Sequence, residues 1–278
     1  MLRRMCHLPS VEDRIKFLNL FSSFSGQMDS VSSECVFRFE IKSKGLTEIL
    51  YQYPELKEMG SDNEMKYFIN LLKWTSRQLV GDGMCVPPER IDALYILSKT
   101  KSERIKSNCW MYSTVLNEIL LALGFASRVV RCMPLEADFH DCHCMTEVWS
   151  SQNNKWVALD SANRAVYLSR KGVPLNVYEI REHIRSQNEF LVPYMDRKTR
   201  NELANYLATN MLRFESWRIS CFGEESKESA EMIEFLPTNY YLSEKDVQIG
   251  GKTIHYTAVH SPDIFWASPE KNSFIAEG

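Results

Sequence analysis

Hydrophobic residues recur with helical spacing through the first hundred residues of the chain. Two helix-start signals, at residues 10–13 and 61–64, pair a side-chain oxygen that can accept from unpaired backbone amides with an acidic residue three positions later. The second signal opens an apolar-periodic run over residues 65–80, which a Gly-Asp-Gly turn ends. A Pro-Pro pair then favours the entry to a further helix over residues 89–99. The pattern predicts a helical N-terminal region over residues 1–100.

The periodicity changes after residue 125. Residues 107–125 predict a helix in which Asn108 serves as the N-cap and Gly124 as the C-terminal stop. Beyond it, apolar residues alternate with polar ones or form short runs. Strands are predicted over residues 127–133, 142–149 and 155–160. A helix followed by antiparallel strands predicts an α+β fold, with the helix packed on an antiparallel sheet.

The rest of the chain alternates between helical and strand-like segments. Helices are predicted over residues 177–185 and from the start signal at residues 199–202. Strand-like segments occupy residues 239–242, 247–250 and 252–259, and Gly250-Gly251 predicts a hairpin turn. No repeat or clear linker separates these segments. We therefore predict a helical region (1–100), a core (101–185) and an α/β extension (186–278) that is part of the same domain as the core.

Composition narrows the classes of partner. The chain has 278 residues, of which 44% are hydrophobic and 25% charged, as in globular proteins. A formal charge of −3 provides no field for recruiting nucleic acid or an anionic membrane. No apolar run has the length of a signal peptide or a membrane span. We predict a soluble, cytoplasmic protein, in which the eight cysteines are free thiols in a reducing compartment.

Cys109 follows the predicted N-cap Asn108 and lies in the first turn of the helix predicted within residues 107–125. Unpaired amides and the helix dipole at this position stabilise a thiolate and can lower a thiol pKa below the free value of about 8.5. The same amides could hold an oxyanion. The alternative is that Cys109 is a small buried residue at a helix start, since free cysteines are among the most buried residues.

His143 and Asp160 fall on two consecutive predicted strands. If the loop over residues 151–154 has four residues, Met145 lies opposite Asp160, and Asp160 is then a diagonal neighbour of His143 on the same face. Diagonal neighbours have Cα atoms about 7–8 Å apart, which these two side chains can close with a hydrogen bond. A loop one residue shorter or longer would place Asp160 on the other face.

A cysteine, a histidine and a carboxylate form a recognised catalytic group. The thiolate needs a base that also protonates the leaving group, and the base needs a carboxylate that fixes its tautomer. We predict this triad for Cys109, His143 and Asp160. The alternatives are that His143 is a structural strand histidine and that Asp160 is a residue of the turn after its strand.

Four sequence blocks, spread over about residues 90–185, resemble the transglutaminase-like superfamily. Residues 108–110 resemble its Gln-Cys-Trp nucleophile segment, with Asn for Gln, and residues 123–130 resemble its Leu-Gly-Ile-Pro-Ala-Arg-Val-Val helix exit. Residues 143–149 are similar to its His-x-Trp-x-Glu-Val strand, and residues 155–160 to its Trp-x-x-x-Asp strand. The resemblance implies a papain-like core and the catalytic triad given above. We predict no cofactor and no metal for this chain.

Some residues depart from the family pattern or have open roles. Met145 replaces the usual Trp, and Ser161 stands where Pro is frequent. The zinc-binding Cys-x-x-Cys pairs of peptide N-glycanases and the acidic calcium loops of animal transglutaminases are absent from the sequence. The family takes an oxyanion donor from an upstream side chain, and Gln78 and Trp74 are the residues considered for this role. The alternative is that they are ordinary helix residues. Asn163 and Arg164, just after Asp160, could contact the substrate or could be ordinary surface residues.

The segment 139–144 raises the alternative of a zinc site. It contains His140, Asp141, Cys142, His143 and Cys144, and Cys132 could add a ligand. Adjacent strand residues point alternately, however, whereas tetrahedral zinc sites use spacings that curl the chain around the ion. We therefore predict no metal, and place Cys142 and Cys144 as small inward-facing side chains on the face opposite His143.

These observations predict a thiol-dependent acyl-transfer enzyme whose substrate is a peptide or protein with an amide bond. Hydrolysis, as in a peptidase or amidase, is favoured because a cross-linking transferase must admit an amine while excluding water. The two alternatives are a protein-glutamine cross-linking transglutaminase and a non-catalytic binding protein on the same fold. Partners such as nucleic acid and membrane are not expected.

Overall fold

The protein has an α+β fold, as predicted. The structure, a computed structural model, describes residues 10–29, 37–134, 142–223, 229–240, 246–249 and 252–276. In this part of the chain the helices are α1 (Val11–Leu20), α2 (Lys44–Gln52), α3 (Glu55–Glu58), α4 (Glu64–Gln78), α5 (Ala93–Glu103), α6 (Cys109–Ala122), α7 (Val177–Arg185), α8 (Arg197–Leu207) and α9 (Pro262–Phe265). Over the described ranges, no helix combines the length and the apolar character needed to cross a membrane.

An eight-stranded, mostly antiparallel sheet forms the centre of the molecule. The strands are β1 (Arg38–Lys42), β2 (Val80–Gly81), β3 (Lys106–Ser107), β4 (Ser127–Met133), β5 (His143–Ser150), β6 (Lys155–Asp160), β7 (Ala165–Val166), β8 (Arg213–Trp217), β9 (Ile219–Ser220), β10 (Ser229–Phe235), β11 (Asp246–Ile249), β12 (Lys252–Val259) and β13 (Phe274–Ala276). The large sheet has the order β11-β12-β10-β8-β4-β5-β6-β7, with β10 and β12 parallel. Smaller sheets have the orders β13-β1-β9 and β2-β3.

Helix α6 is the buried centre of the helical layer. Every residue from Met111 to Leu121 is buried, including the polar ones, because the helix packs on β4 and β5 and is covered by α2, α4 and α5. A helix that is buried on all sides needs no amphipathic pattern. Its ends follow the sequence prediction: the Asn108 side chain accepts a hydrogen bond from the Met111 amide at 3.1 Å, and Gly124 has a φ of 88°.

The predicted register of β5 and β6 is confirmed. Ser150 pairs with Lys155 and Thr146 with Leu159, so the loop between the strands has four residues. The strand parity therefore places the side chains of His143 and Asp160 on the same face. Strand β4 pairs with β5 on one side and with β8 on the other, which joins the C-terminal strands to the same sheet.

Several predicted boundaries differ from the structure. Helix α5 begins at Ala93 instead of residue 89, because the Asp92 side chain caps it by accepting from the Tyr95 amide at 2.8 Å. Likewise Asp196 caps α8, which begins before the predicted signal at residues 199–202. Asn63 caps α4 in place of Ser61.

The C-terminal strands were predicted in part. Strands β11 and β12 form the expected hairpin, with Ile249 opposite Lys252, while Gly250-Gly251 themselves lie outside the described residues. Residues 239–240 form the end of a turn instead of a strand, and residues 241–242 lie outside the described part. Strands β8 and β10 were not predicted.

Candidate functional site

Cys109 is the first residue of α6, and its sulfur lies beside the start of β5. The Cys109 Sγ is 3.8 Å from the carbonyl oxygen of Cys142, and its side chain contacts both His143 and Cys144. The first turn of a helix leaves amides without intrahelical acceptors. Since Asn108 occupies the Met111 amide, the Cys109 and Trp110 amides are those available to a negatively charged group near the sulfur.

His143 and Asp160 form a buried, hydrogen-bonded pair. The His143 Nε2 lies 2.8 Å from the Asp160 Oδ2, and the residues are only 1% and 0% exposed. The hydrogen bond expected from the sequence between His143 and Asp160 is therefore present, and Cys109 contacts the same imidazole. Burial in a medium of low polarity strengthens such a charge-assisted hydrogen bond.

Two further side chains hold the Asp160 carboxylate. The Asn163 side chain and the Tyr167 hydroxyl donate to Oδ2 at 2.9 and 2.8 Å, and the Asn163 amide donates to Oδ1 at 3.0 Å. These contacts arise because the chain turns back after Asp160, and β7 pairs Ala165 opposite it. The carboxylate is thus fixed on both oxygens and directed toward the imidazole of His143.

Tyr206 on α8 covers the other side of the imidazole. Its ring packs edge-on against His143 at a centroid distance of 5.4 Å, and its hydroxyl is 3.4 Å from Nδ1. The Tyr206 side chain is 39% exposed. It therefore lies between the His143 ring and solvent.

The charges of this group favour an ion pair. Burial opposes the charged imidazole, but the Asp160 carboxylate and the Cys109 contact outweigh burial and raise the pKa of His143 to about 10. The hydrogen bond from the Cys144 thiol, with the contribution of His143, outweighs burial and holds the pKa of Cys109 well below its usual value. Burial also opposes ionisation of Asp160, but its partners His143 and Asn163 lower its pKa. These shifts all favour a thiolate on Cys109, a charged imidazole on His143 and a charged carboxylate on Asp160.

The other residues considered from the sequence lie elsewhere. Gln78 is exposed at the last turn of α4, and Trp74 packs edge-on against Tyr53 in the core at 5.3 Å. Arg164 is an exposed turn residue with a φ of 55°. Asn163, considered from the sequence as a substrate contact, instead donates hydrogen bonds to Asp160.

The two family departures are both buried. Met145 is fully buried on the same strand as His143. Ser161 is fully buried too, and its carbonyl oxygen accepts a 2.7 Å hydrogen bond from the Ser76 side chain. This hydrogen bond from helix α4 fixes the turn that follows Asp160, where a proline would instead restrict the backbone through its ring.

The zinc alternative receives no support from the described residues. Among them, no group of three or more His, Cys, Asp or Glu side chains is arranged to hold a metal ion. His140 and Asp141 lie outside the described part of the chain. Cys132 and Cys144 are buried free thiols, and Cys142 is a partly buried one.

Tyr167, Tyr206 and the Cys144 thiol were not predicted as parts of the site. The short spacing from Asp160 to Tyr167 could have indicated a tight hairpin, but two-residue strands such as β7 have no periodic signal. Tyr206 lies 46 residues after Asp160 in the sequence, on a separate helix, and no local sequence pattern connects the two residues. Cys144 faces away from His143 and toward α6, as predicted. Thr146, on the same face of the strand, donates to the Ser113 carbonyl oxygen of that helix.

Comparison with known proteins supports the predicted family. Residues 60–161 match the model of the transglutaminase-like superfamily, and this segment contains Cys109, His143 and Asp160. No curated protein matched the chain. Because the match begins at residue 60, it includes helix α4, which lies in the region that the sequence motifs left without a relative.

Two solved structures show distant similarity. The "Putative Cysteine Protease from Cytophaga hutchinsonii" has 13% sequence identity and a TM-score of 0.32, covering 56% of this chain and 55% of its own. The red sea bream transglutaminase has 18% identity and a TM-score of 0.29, covering 49% of this chain and 28% of its own. The chain thus spans about half or less of the length of either. The family model is therefore the finding that bears on the family: residues 60–161 match the transglutaminase-like superfamily, in agreement with the resemblance of the sequence motifs.

Proposed function

We propose that the protein is a thiol-dependent hydrolase that cleaves peptide or carboxamide bonds through Cys109, His143 and Asp160. The observation that carries this proposal is the buried Asp160–His143 hydrogen bond of 2.8 Å, held beside a cysteine at the start of a helix. A buried structural histidine needs no thiolate beside it. A nucleophilic cysteine, by contrast, needs a charged imidazole partner and a carboxylate that keeps it charged.

The proposed reaction follows from the charges of the group. The Cys109 thiolate attacks the amide carbon, and the amides of Cys109 and Trp110 stabilise the negative oxygen of the tetrahedral intermediate. His143 then donates its proton to the leaving nitrogen, the carbon–nitrogen bond breaks, and a thioester to Cys109 remains. Neutral His143 next takes a proton from water, whose oxygen attacks the thioester. The acid product leaves, and the thiolate and imidazolium are restored.

We favour water over an amine as the acceptor. A cross-linking transferase requires a site that admits an amine and excludes water at the thioester stage. The amine would enter the same second half-reaction, with His143 taking its proton. The two outcomes therefore differ in the product and not in the roles of the three residues.

Thiol reactivity tests the nucleophile without knowledge of the substrate. The rate of Cys109 alkylation by iodoacetamide at pH 6 should exceed that of free glutathione by at least about tenfold, because a thiolate is the reacting form and the free thiol pKa is about 8.5. Alkylation of Cys109 at or below the glutathione rate would contradict the proposal.

Activity is tested with a peptide library and mass spectrometry, with and without a fluorescent primary amine. New peptide termini or released ammonia indicate hydrolysis, and incorporation of the amine indicates transfer. Cys109→Ala should lower the rate by about 10⁶-fold, whereas Cys221→Ala, which removes another buried thiol, should leave it unchanged. Equal activity of Cys109→Ala and the unmodified chain would exclude Cys109 as the nucleophile.

A further inference from the structure

Three thiols, and not one, meet at the start of α6. The Cys109 Sγ lies 3.8 Å from the Cys142 carbonyl oxygen, and the buried Cys144 thiol interacts with the side chains of both residues. All three are free cysteines. The proposed hydrolysis uses only Cys109, so a buried thiol in direct contact with the nucleophile has no assigned role.

The backbone holds Cys109 and Cys144 against each other. One helical turn after Cys109, the Ser113 hydroxyl donates to the Cys144 carbonyl oxygen at 2.9 Å, and Thr146 donates back to the Ser113 carbonyl oxygen at 3.0 Å. A disulfide requires Cα atoms about 4.4–6.8 Å apart. The two side chains interact across a helix and a strand that are joined by these two hydrogen bonds, so we expect a disulfide to form with little movement of the backbone.

We propose that Cys144 is a resolving cysteine, and that oxidation of Cys109 by a hydroperoxide closes a reversible Cys109–Cys144 disulfide. The Cys109 thiolate attacks the peroxide, so that sulfur gains one oxygen as a sulfenic acid and the peroxide is reduced to an alcohol or water. The Cys144 sulfur then attacks the Cys109 sulfur, its proton leaves with the hydroxyl group as water, and the disulfide forms. A dithiol reductant restores both thiols and is itself oxidised.

The chemistry of the neighbourhood favours this sequence. Thiolate character makes Cys109 the first thiol to react with a peroxide. Without a resolving thiol, a sulfenic acid proceeds to irreversible sulfinic and sulfonic acids. A disulfide with Cys144 would stop that loss while it removes the nucleophile, so activity would respond reversibly to peroxide.

Cys144 is a better partner for Cys109 than Cys142. Cys144 lies on the face of β5 that packs on α6, where Ser113 donates to its carbonyl oxygen, whereas Cys142 approaches the Cys109 sulfur through its backbone carbonyl at 3.8 Å. A bond between Cys142 and Cys144 would join positions two apart in an extended segment, whose side chains point to the same side with Cα atoms about 6.6 Å apart, near the upper limit for a disulfide. Cys142 therefore serves as the matched control.

The test treats the full chain with an excess of hydrogen peroxide, because a sulfinic acid requires two equivalents for each thiol, then blocks free thiols with iodoacetamide and digests with trypsin. Cleavage at Lys106 and Arg128 releases the Cys109 peptide, and cleavage at Arg131 and Lys155 releases a peptide with Cys132, Cys142 and Cys144. We expect the two peptides linked, with a mass two hydrogen atoms below their sum. Fragment ions should assign the link to Cys144, and dithiothreitol should remove it.

Two variants decide between the cysteines. In Cys144→Ser the linked peptide should be lost and Cys109 should accumulate sulfinic acid, whereas Cys142→Ser should keep the link. Circular dichroism and the melting temperature confirm that each variant is folded, and Cys144→Ala serves if Cys144→Ser is not. A link retained in the Cys144 variants, or only sulfinic acid in the unmodified chain, would overturn the proposal.

The readout is independent of the proposed hydrolysis, although the proposal needs a reactive Cys109. If no disulfide forms while Cys109→Ala abolishes a measured amidase activity, only the redox proposal fails. If the disulfide forms and no amide substrate is cleaved, only the hydrolase proposal fails.

Discussion

Strand β5 carries two buried ion pairs on one face, four residues apart. At its start His143 pairs with Asp160, and further along Glu147 pairs with Arg128, whose Nη2 lies 2.8 Å from the Glu147 carboxylate. Both pairs are almost completely excluded from solvent. They differ in what surrounds them, and this difference separates a structural pair from a reactive one.

The Arg128–Glu147 pair is closed on every side. Glu147 also accepts from the Val177 amide and the Trp266 indole, and Arg128 donates to the Phe265 carbonyl oxygen at 2.8 Å. The guanidinium lies 4.3–4.6 Å from the ring centres of Phe37, Trp156 and Phe265. An arginine cannot release its proton in a protein, so this pair joins β4, β5, α7 and α9 and has no group suited to proton transfer.

The His143–Asp160 pair is open toward a thiol. Asp160 is as fully hydrogen-bonded as Glu147, but the cation is an imidazole, which unlike a guanidinium can give and take a proton. Its ring contacts Cys109 and the partly exposed Tyr206. The same strand therefore carries a fully enclosed ion pair at one position and an imidazole beside a thiol at the other.

The largest expected effect is that of Asp160→Asn on catalysis. The amide keeps the shape but loses the charge that fixes the imidazole, so kcat should fall by about 10⁴-fold. Steady-state kinetics on the substrate from the peptide library would measure it. A fall of less than tenfold would show that Asp160 does not support His143 in the reaction.

Glu147→Gln should act on stability instead. Removing one charge of a buried pair leaves Arg128 uncompensated and should lower the free energy of unfolding by about 3–5 kcal/mol. Urea denaturation measures this change, and kcat per folded molecule should remain within a fewfold of the unmodified chain. If the variant is stable but inactive, the contrast between the two pairs is wrong.

The pH dependence of the two pairs should also differ. The reactive ion pair forms once Cys109 loses its proton, well below its usual pKa, and is lost as pH rises through the His143 pKa of about 10. In Asp160→Asn the His143 pKa falls, so the basic limb of kcat/KM should move down by about one to three pH units. The acid limb of Cys109 alkylation should move up, because a less charged imidazole stabilises the thiolate less. An unchanged acid limb in Glu147→Gln is the control.

Tyr167→Phe should have a moderate effect. It removes a 2.8 Å hydrogen bond to the Asp160 carboxylate while keeping the ring in the core. The loss of a bond to a charged group is worth about 1.5–3 kcal/mol, so kcat should fall by roughly 10- to 100-fold. Tyr112→Phe, on a different element, is a matched control and should be near neutral.

The smallest expected effect is that of Tyr206→Phe. The hydroxyl is 3.4 Å from the His143 Nδ1, which is long for a hydrogen bond, and the edge-on ring contact is retained. A change of kcat/KM by less than about fivefold, or 1 kcal/mol, is expected. A large loss would show that the Tyr206 hydroxyl takes part in proton transfer.

Local signals gave the parts of the site that lie close together in sequence. The N-cap at Asn108, the stop at Gly124 and the four-residue loop between β5 and β6 determine where Cys109, His143 and Asp160 lie on their elements. The contact between α6 and β5 followed from the family motifs. Tyr167 was not predicted and Asn163 was considered only as a substrate contact, because their contacts with Asp160 depend on how the chain turns back after β6.

The C-terminal half was harder to predict for a physical reason. Strand β8 is buried on both faces, and its Arg213 forms ion pairs with Glu215 of the same strand and with Glu234 of β10. Buried charges remove the alternation of apolar and polar residues by which a strand is recognised. Helix starts at Ala93 and Arg197 were missed because an aspartate cap competed with an equally plausible nearby signal.

The pairing of β4 with β8 has a consequence for how the chain folds. Residues that contact across these strands, such as Arg131 and Glu215, are 84 positions apart, so a large loop must close before β4 is covered on that side. Until then, or in a fragment that ends at residue 185, β4 presents an unpaired edge with the sequence Val-Val in its middle. Such an edge is a template for pairing between chains. A fragment that ends at residue 185 should therefore aggregate instead of folding as a smaller, stable protein.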